Sequence, residues 1–349
     1  MYARHHWRTA VTALVALAVT ASACGDDEGS QETADELAAG VTLYSGRNEE
    51  LIQPIVDQFE EESGVDVEVK YGDSADLALL LEEESAAGGA KADVFLSQSP
   101  GAVGFLGQSD RLAALPAEVL DLVPAEVQAS DGSWVGFSGR QRVLVYNPEL
   151  VSEDELPDSV FALTGEEWEG DIGVAPGNGS FQDFVTAMRA TEGDEATQEW
   201  LNGLAANDPL TYPKNSAIVA AVGRGEVSVG LVNHYYHYRA VAEDPSHATA
   251  NHQFAPDDPG SILIVTGAAT LADSDKPRTA AALIEFLLSD SGQHYFAQET
   301  FEYPLALGQE PAPEIPPIEF SDVSGVDYEA LGGDLGETRQ MIADAGLEG

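Results

Sequence analysis

The sequence has 349 residues, with 15 Lys plus Arg against 61 Asp plus Glu and a formal net charge of −46 at pH 7. Its length favours two domains over one. The charge argues against nucleic acid as a partner, because phosphate binding requires a basic surface. We interpret the acidic balance as a solvated surface, since net charge reports on solubility rather than on fold.

The N-terminus has the pattern of an export signal. Arg4 and Arg8 precede the apolar run AVTALVALAVTASA, and Cys24 follows it. A basic start, a short apolar segment and small residues before the cleavage point are typical of a signal peptide, here residues 1–23, and the run is short for a membrane span. The stretch ASAC also resembles a bacterial lipobox, in which the cysteine is lipidated. An ordinary signal with an incidental cysteine is the alternative.

Cys24 is the only cysteine, so an internal disulfide is excluded. We predict that a lipid on Cys24 holds the protein on the outer face of a membrane without spanning it. Residues 24–40 are polar and acidic, which predicts a flexible tether. The folded part is expected to begin near Val41.

From Val41 onward, strand and helix patterns alternate. The first part contains VTLYS (41–45), a helical stripe from Leu51 to Phe59 that ends before Gly64, VDVEVKY (65–71), the helical LALLLEEE and ADVFLS (92–97). Apolar spacing of three and four residues predicts helices, and alternation with period two predicts strands. Strands separated by helices imply a mainly parallel sheet with right-handed crossovers.

Two later runs are long, β-rich and without a helix break: SWVGFSGRQRVLVYN (133–147) and GSILIVTGAATL (260–271). A second alternating region lies between them, and two helices follow the second run. One α/β unit is therefore interrupted by another, and the two long strands cross between the units. This pattern predicts a two-lobed, hinged α/β protein with its ligand in the crevice between the lobes.

The same pattern sets the predicted domain boundaries. We expect an N-terminal lobe from residues 41–139 and 266–316 and a C-terminal lobe from residues 140–265. Residues 317–349 are expected to form a strap and a helix that pack on the C-terminal lobe.

The sequence argues against the common enzyme classes. It contains no HExxH, no Walker loop, no GxGxxG opening a helix and no GxSxG, and its one cysteine is assigned to the lipid. A hydrolase with a pair of cleft carboxylates is the enzymatic alternative, although no close pair of acids falls at a predicted strand end. A zinc site from the histidines is disfavoured because their spacing matches no standard pattern. We expect His237 and His247 to be exposed.

Residues 232–240, VNHYYHYRA, place two phenols side by side after the strand-like VSVGLV. Tyr235 and Tyr236 converge most easily where a strand passes into a helix, with Asn233 as the predicted N-cap. The positive end of a helix favours the phenolate form. A tyrosine pKa near about 10 means that two phenolates at neutral pH need a strongly charged cation, and Fe³⁺ is hard and binds anionic oxygen. The alternative is an aromatic pair that packs beneath a lobe.

Several residues could hold an anion beside such a cation. Asn178, Gly179 and Ser180 stand immediately before a helix, where free backbone N–H groups can bind an anion. Asn215 stands at another helix start, where capping explains it equally well. Arg140 lies on the first long run together with Arg142, at a position where both could face the cleft.

These residues make the sequence similar to the ferric-iron-binding substrate-binding proteins of bacterial ABC importers, the bacterial transferrin family. The resemblance runs from about Val41 to the C-terminus. Its marks are VTLYSGRNEELIQPI, KADVFLSQSPGAVGFL, WVGFSGRQRVLVYNPELV, APGNGSFQDFV, YPKNSAIVAAVGRGEVSVGLVNHYYHYR and SDSGQHYFAQETFEYPL. Among these marks, the tyrosine pair after GLVN and the EYP motif near the C-terminus are the most specific to the family. The resemblance implies an α/β, two-lobed periplasmic-binding-protein type II fold with two crossing hinge strands.

The resemblance also implies the roles of the site residues. Tyr235 and Tyr236 correspond to the adjacent tyrosines that coordinate ferric iron in the family. The residues that correspond to the holders of a synergistic carbonate or phosphate are Asn178, Gly179, Ser180, Asn215 and Asn233.

The N-terminal lobe departs from the family pattern. Asn48 stands where many members have a histidine, Gln98 where many have a glutamate, and Phe181 where some have a third tyrosine. We therefore expect Asn48 and Gln98 to be weak metal ligands. Arg47 or Arg140 is expected to balance the exogenous anion. Glu49 or Glu50 could replace the missing carboxylate, although a solvent-facing first helical turn explains them as well.

The resulting expectation is a lipid-anchored, extracytoplasmic receptor for Fe(III) and a synergistic anion, without enzymatic activity. It would be a monomer that delivers iron to an ABC permease and its ATPase, touch the membrane only through its lipid and bind no nucleic acid. The main alternative is the same fold with a different small anion or organic ligand, and a ligand sensor for a signalling partner is another.

Overall fold

The computed structural model describes residues 37–318, 328, 331 and 335–347. The predicted signal peptide 1–23, Cys24 and the tether up to residue 36 lie outside the described residues, as do parts of the predicted strap. Within the described ranges, no helix combines the length and the apolar character needed to cross a bilayer.

Strands and helices alternate through most of the chain, as the sequence pattern predicts. In chain order they are β1 Gly40–Ser45, α1 Glu49–Ser63, β2 Asp66–Tyr71, α2 Ser74–Ala86, β3 Val94–Ser97, α3 Pro100–Gln108, α4 Ala117–Leu120, β4 Trp134–Tyr146, β5 Ile172–Val174, α5 Gly179–Glu192, α6 Asp194–Ala206, β6 Leu210–Thr211, α7 Asn215–Gly223, β7 Val229–Asn233, α8 Tyr235–Glu243, β8 Ala250–His252, β9 Leu263–Thr270, α9 Pro277–Leu288, α10 Asp290–Gln298, β10 Tyr303–Pro304 and α11 Leu335–Asp344.

The strands form a sheet with the order β2-β1-β3-β9-β4-β7-β5-β6, to which β8 and β10 add at β4. β1 runs parallel to β2 and β3, and β5 runs parallel to β6 and β7. β9 is antiparallel to β3 and β4, and β4 is antiparallel to β7. Each end of the sheet is thus a parallel α/β unit, and two antiparallel strands join the ends. The prediction of an α/β fold with two crossing strands is confirmed.

The strand β4 pairs with different neighbours along its length, and the change of neighbour marks the crossing between the lobes. Its first part, from Trp134 to Gln141, pairs with β9, whereas Arg142 to Tyr146 pair with β7. All 13 residues of β4 are buried. Arg140 and Arg142 therefore lie where the strand passes from one lobe to the other.

The helix α1 shows why the local pattern was readable in the sequence. Its buried residues recur at helical spacing and form one apolar stripe against the sheet: Leu51, Ile52, Ile55, Val56 and Phe59. The helix ends at Gly64, which has a left-handed backbone with φ of 72°. Glycine adopts this conformation without steric cost, so the predicted end is confirmed.

An apolar cluster of the C-terminal lobe lies between β4, β7 and α7. It includes Val143 and Val145 of β4 together with Ile218 and Val232, and Tyr236 packs against its edge. The tyrosine is therefore attached to a close-packed region, which limits the movement of its ring.

The helix α11 is held on α5 by polar contacts. Arg189 forms ion pairs with Asp194 and Glu337, each at 2.8 Å, and the hydroxyls of Thr186 and Thr338 lie 2.8 Å apart. These contacts bring the far C-terminus against the helix that begins at the predicted anion loop.

Gly46 lies in the loop between β1 and α1, and substitution there tests how tightly this loop is packed. Its N–H donates to Leu96 O at 2.7 Å, and a Cβ at this position would lie 2.0 Å from Ser74 Oγ and 3.0 Å from Ser74 Cα. We expect Gly46→Ala to lower the free energy of unfolding by about 1–3 kcal/mol through overpacking. Urea denaturation measures this. Gly177→Ala is the control, because a Cβ there meets nothing within 4 Å, and an equal loss in both variants would contradict the account.

Candidate functional site

The two adjacent tyrosines lie at the junction of β7 and α8. β7 ends at Asn233 and α8 begins at Tyr235. The phenol rings stack with centroids 4.1 Å apart and an interplanar angle of 28°. Tyr235 is 2 % exposed, whereas Tyr236 is half-buried. The predicted change from strand to helix at this point is confirmed.

The predicted capping role of Asn233 is wrong. Asn233 is the last residue of β7, and His234 occupies the N-cap position without a side-chain capping bond. The Asn233 side chain instead accepts a hydrogen bond from Arg142 Nη1 at 3.1 Å. Cross-strand pairing of Arg142 with Asn233 places the two residues opposite each other, and this tertiary contact replaces the local cap.

Three guanidinium groups are buried near the tyrosines. Arg47, Arg140 and Arg142 are each at most 1 % exposed. Arg47 forms a 2.5 Å ion pair with Glu302, and Arg140 donates to the backbone oxygen of Gln98. Two nitrogens of each guanidinium have no hydrogen-bond partner among the described residues. Buried N–H groups without acceptors are costly, so this part of the site favours an anion.

Burial and charge act in opposite directions on these groups. Burial raises the pKa of Tyr235 well above its ordinary value, Tyr236 and Glu302 add to the rise, and Arg47 and Arg140 oppose it. Burial lowers the pKa of Arg142 to about 9, against the effect of Tyr236 and Asp183. The phenol is therefore neutral unless a cation replaces its proton, and the buried guanidinium is stabilised by any negative charge nearby.

The predicted anion loop is one hydrogen-bonded cluster. Asn178 Oδ1 accepts from the Ser180 N–H at 3.1 Å and from Ser180 Oγ at 2.6 Å. Asn215 Nδ2 donates to Ser180 Oγ at 2.9 Å. Gly179 lines the main cavity between the lobes, which is described next, and a Cβ on it would meet nothing within 4 Å. The cluster joins the N-termini of α5 and α7, which both attract negative charge.

A cavity of about 1060 Å³ is lined by residues of both lobes. A second cavity of about 510 Å³ contains Tyr236. Five residues line both cavities and mark where they meet: Asn48, Glu50, Gln98, Asn178 and Lys214. Asn48 is exposed and precedes α1 without capping it through its side chain, so its amide is free to contact a ligand. The N-terminal-lobe residues predicted as weak ligands thus border the same space as Tyr236.

Side-chain contacts between described residues cross the cleft. Ser99 Oγ donates to Asp183 Oδ1 at 2.5 Å, and Arg239 Nη2 lies 3.8 Å from Glu50 Oε1. Asp183 is buried, and this burial raises the pKa of its carboxyl from an ordinary value of 3.8 to about 6, while the Ser99 hydrogen bond opposes the rise. These contacts hold the two walls of the cleft together.

Three further residues considered in the sequence analysis, Phe181, His237 and His247, make contacts outside the anion loop. Phe181 is fully buried and packs against Phe184 and Trp200, so its position points into the core of the C-terminal lobe. His237 and His247 are half-buried and both hydrogen-bond Thr249 at 3.0 Å, so the prediction that they are exposed is wrong. Among the described residues, no group of three or more His, Cys, Asp or Glu side chains could hold a metal.

Sequence reasoning missed Glu302 and Asp183, and it placed Arg142 at the cleft without identifying its hydrogen bond to Asn233. Glu302 belongs to the EYP motif, but its partner Arg47 is 255 residues away in the chain. Asp183 lies on the buried face of α5, where periodicity alone predicts an apolar residue. The signal available for Arg142 was its spacing of two from Arg140 on one strand, which places both side chains on one face.

The Arg47–Glu302 pair allows a direct test of buried charge. We expect Glu302→Gln to lower the free energy of unfolding by about 3–5 kcal/mol, because it leaves the Arg47 guanidinium buried without a counter-charge. Chemical denaturation of the iron-free protein measures the change. The matched control is Glu82→Gln, which breaks the partly exposed pair with Arg111 and is expected to change the free energy of unfolding little, because solvent screens that pair. Equal effects in both variants would contradict this account.

Asp183 predicts a pH dependence with a defined sign. Because its pKa is raised, the carboxyl favours the folded state at pH below 3.8, and this contribution is lost as the pH rises through about 6. We expect Asp183→Asn to stabilise the iron-free protein relative to wild type by about 3 kcal/mol more at pH 8 than at pH 3.5. Thermal unfolding of both proteins across this range measures the difference, and a difference independent of pH would refute the raised pKa.

Comparison with known proteins identifies the family. Residues 89–328 match the family described as bacterial extracellular solute-binding protein. The Fe(3+)-binding periplasmic protein of Serratia marcescens is 30 % identical over 88 % of this chain and 90 % of its own length. The major ferric iron-binding protein of Neisseria meningitidis serogroup A is 33 % identical over 76 % of this chain and 81 % of its own length.

Solved structures agree with this match. The crystal structure of iron-bound HitA from Pseudomonas aeruginosa has a TM-score of 0.81 and 32 % identity, and the alignment covers 88 % of this chain and 99 % of HitA. The resemblance inferred from the sequence, the type II fold and the assignment to a binding protein rather than an enzyme are confirmed. The chain belongs to the family of bacterial extracellular solute-binding proteins, and the Serratia and Neisseria relatives above are named for binding ferric iron.

Proposed function

We propose that this protein binds ferric iron together with an anion in the cleft between its lobes. The observation that carries the proposal is the stacked pair of phenols at the β7–α8 junction, next to buried guanidinium groups, with Tyr236 at the wall of a cavity. The similar proteins from Serratia and Neisseria are named for binding ferric iron, which supports the same cargo here.

The phenols require a strongly charged cation to act as ligands. A neutral tyrosine is a poor ligand, and burial makes the loss of the Tyr235 proton still more costly. Fe³⁺ supplies enough charge to replace the protons of both Tyr235 and Tyr236. Binding therefore releases protons, and acidification weakens it, because protons and iron compete for the same oxygens.

The buried charges favour a divalent anion beside the iron. Three guanidiniums face two carboxylates, Glu302 and Asp183, which leaves one positive charge. Iron with two phenolates adds another. A dianion such as carbonate or hydrogen phosphate would neutralise both, and the free N–H groups of Arg140 and Arg142 and the Asn178–Ser180–Asn215 cluster are the proposed donors. Arg47 is already paired with Glu302, so its contribution is electrostatic.

Asn48 and Gln98 are the proposed contribution of the N-terminal lobe. Both border the space next to Tyr236 and offer neutral amide oxygens. Movement about β4 and β9 would bring them toward the tyrosines, since closure of two lobes about hinge strands is a common response to a ligand. Neutral donors add less attraction than a carboxylate, so more of the binding energy comes from the phenolates and the anion.

The place of this protein in transport completes the proposal. A lipid on Cys24 would tether a monomer at the outer face of the membrane, and the closed form would deliver iron to an ABC permease and its ATPase. The N-terminal sequence pattern supports the anchor. Membership of a solute-binding family supports delivery to a transporter.

A second candidate is the binding of a small anion without iron. The unpartnered nitrogens of three buried arginines favour it, because they attract an anion whether or not a metal is present. In that case the tyrosines would only form part of the wall.

Titration of the iron-free protein with Fe³⁺, with and without bicarbonate or phosphate, separates the two candidates. We expect a visible phenolate-to-iron charge-transfer band that requires the anion. Tyr235→Phe and Tyr236→Phe should each lose more affinity than the roughly 10–100-fold typical of a supporting residue. The control is Tyr71→Phe, since Tyr71 lines the main cavity, away from Tyr236, and donates its hydroxyl hydrogen to Gln53 at 2.5 Å. Anion binding without any such band would refute the iron proposal.

A further inference from the structure

His234 lies where β7 ends and α8 begins, directly before the two tyrosines. Its backbone is already helical, with φ of −54° and ψ of −39°, whereas Asn233 before it still pairs with Arg142 of β4. The residue is 2 % exposed. Its side chain makes no capping bond to the first turn of α8, so a local role in starting the helix does not explain a buried imidazole here.

The ladder between β4 and β7 lacks a main-chain acceptor at this point. In a hydrogen-bonded antiparallel pair, two facing residues exchange both of their main-chain hydrogen bonds. Between Gln141 and His234, both described residues, only one such bond forms, from the His234 N–H to the Gln141 oxygen at 2.9 Å. Because the chain has turned into a helix, the His234 oxygen accepts instead from Asn251 Nδ2 at 2.8 Å.

The imidazole of His234 supplies the acceptor that the ladder lacks. The Gln141 N–H donates to His234 Nδ1 at 3.1 Å, and the bond is buried. An imidazole nitrogen accepts a hydrogen bond only through its lone pair, so Nδ1 carries no proton in this contact. All of β4 is buried, and a backbone N–H without an acceptor there would be costly. The side chain therefore lets the chain become helical directly before Tyr235 while it stays bonded to β4.

The same imidazole contacts two aromatic rings. The Tyr303 ring lies over it, with centroids 4.6 Å apart and an interplanar angle of 30°, and the Tyr235 ring meets it edge-on at 6.1 Å and 82°. Tyr303 belongs to β10, which pairs with β4 through Gly139. The first of the two phenols thus packs against a side chain that both β4 and β10 hold in place.

Building on the proposed ferric site, we propose that His234 is a positioning residue, whose Nδ1 replaces a strand carbonyl and so fixes the two adjacent phenols relative to the guanidiniums of β4. Gln141 lies between Arg140 and Arg142 in the chain, so the hydrogen bond ties the segment that carries the phenols to the residue between the two buried charges. Contacts that support metal ligands raise affinity because they hold the ligands in the binding geometry before the metal arrives.

Three substitutions of His234 test this role by titration with Fe³⁺ and bicarbonate. His234→Asn keeps an acceptor, since Oδ1 lies as many bonds from Cα as Nδ1 does, whereas His234→Leu has none. His234→Gln carries its amide one bond farther out and remains polar, so it replaces the Leu variant if that variant does not fold. We expect the Leu and Gln variants to bind iron about tenfold more weakly or worse, with a shifted charge-transfer band, and the Asn variant to stay close to wild type.

Amide hydrogen exchange of the iron-free proteins measures the hydrogen bond itself. The Gln141 N–H should exchange slowly in wild type and in His234→Asn, and faster in His234→Leu and His234→Gln. The matched control is His252→Leu, which removes another half-buried imidazole, one whose Nε2 lies 2.9 Å from the Pro157 oxygen. This control should change neither the Gln141 exchange nor the charge-transfer band.

The outcomes distinguish this inference from the function on which it rests. Faster Gln141 exchange with unchanged iron affinity and an unchanged band in His234→Leu would leave the residue a purely structural role and overturn the proposal. A His234→Asn variant as impaired as His234→Leu would overturn it too, while wild-type protein would still show the ferric site. Absence of the band in wild type overturns both. Loss in the Leu and Gln variants, with recovery in the Asn variant, supports the proposal.

Discussion

Two stacked phenols lie beside three buried guanidinium groups, and the balance of charge there governs the rest of the site. A buried phenol resists ionisation, and a buried guanidinium resists being left without an anion. In the proposed site, a trivalent cation would replace the phenol protons, and an accompanying anion would accept hydrogen bonds from the guanidiniums. The stacking of Tyr235 on Tyr236 and the pairing of Arg47 with Glu302 hold these groups in place before a ligand arrives.

The fold brings this chemistry together through two long strands. β4 carries Arg140 and Arg142 at the point where it leaves β9 and pairs with β7, and β7 ends next to the tyrosines. Charged groups on this crossing strand therefore lie beside the two tyrosines of the C-terminal lobe. In the proposed closure, a change of the angle between the lobes would also change the surroundings of these arginines. The hydrogen bond between Ser99 and Asp183 also joins the two lobes.

Much of the fold was readable because its determinants are local. The apolar stripe of α1, its end at Gly64 and the uninterrupted β4 follow from residue spacing alone. The position of the tyrosine pair could be predicted because adjacent phenols converge most easily where a strand passes into a helix. The Arg47–Glu302 ion pair could not be predicted, since two charged residues 255 positions apart in the chain give no local sequence signal. For the same reason Asn233 was assigned to a cap: the cross-strand Arg142 that binds it cannot be identified from neighbouring residues.

The central claim is that both phenol oxygens bind one ferric ion. Anomalous diffraction at the iron absorption edge, from crystals of the protein grown with a ferric salt and bicarbonate, tests it most directly. The account predicts a single iron peak within coordination distance of the Tyr235 and Tyr236 oxygens, with an anion between the iron and the hinge arginines. An iron peak elsewhere, or two phenol oxygens that point apart with no metal between them, would contradict it.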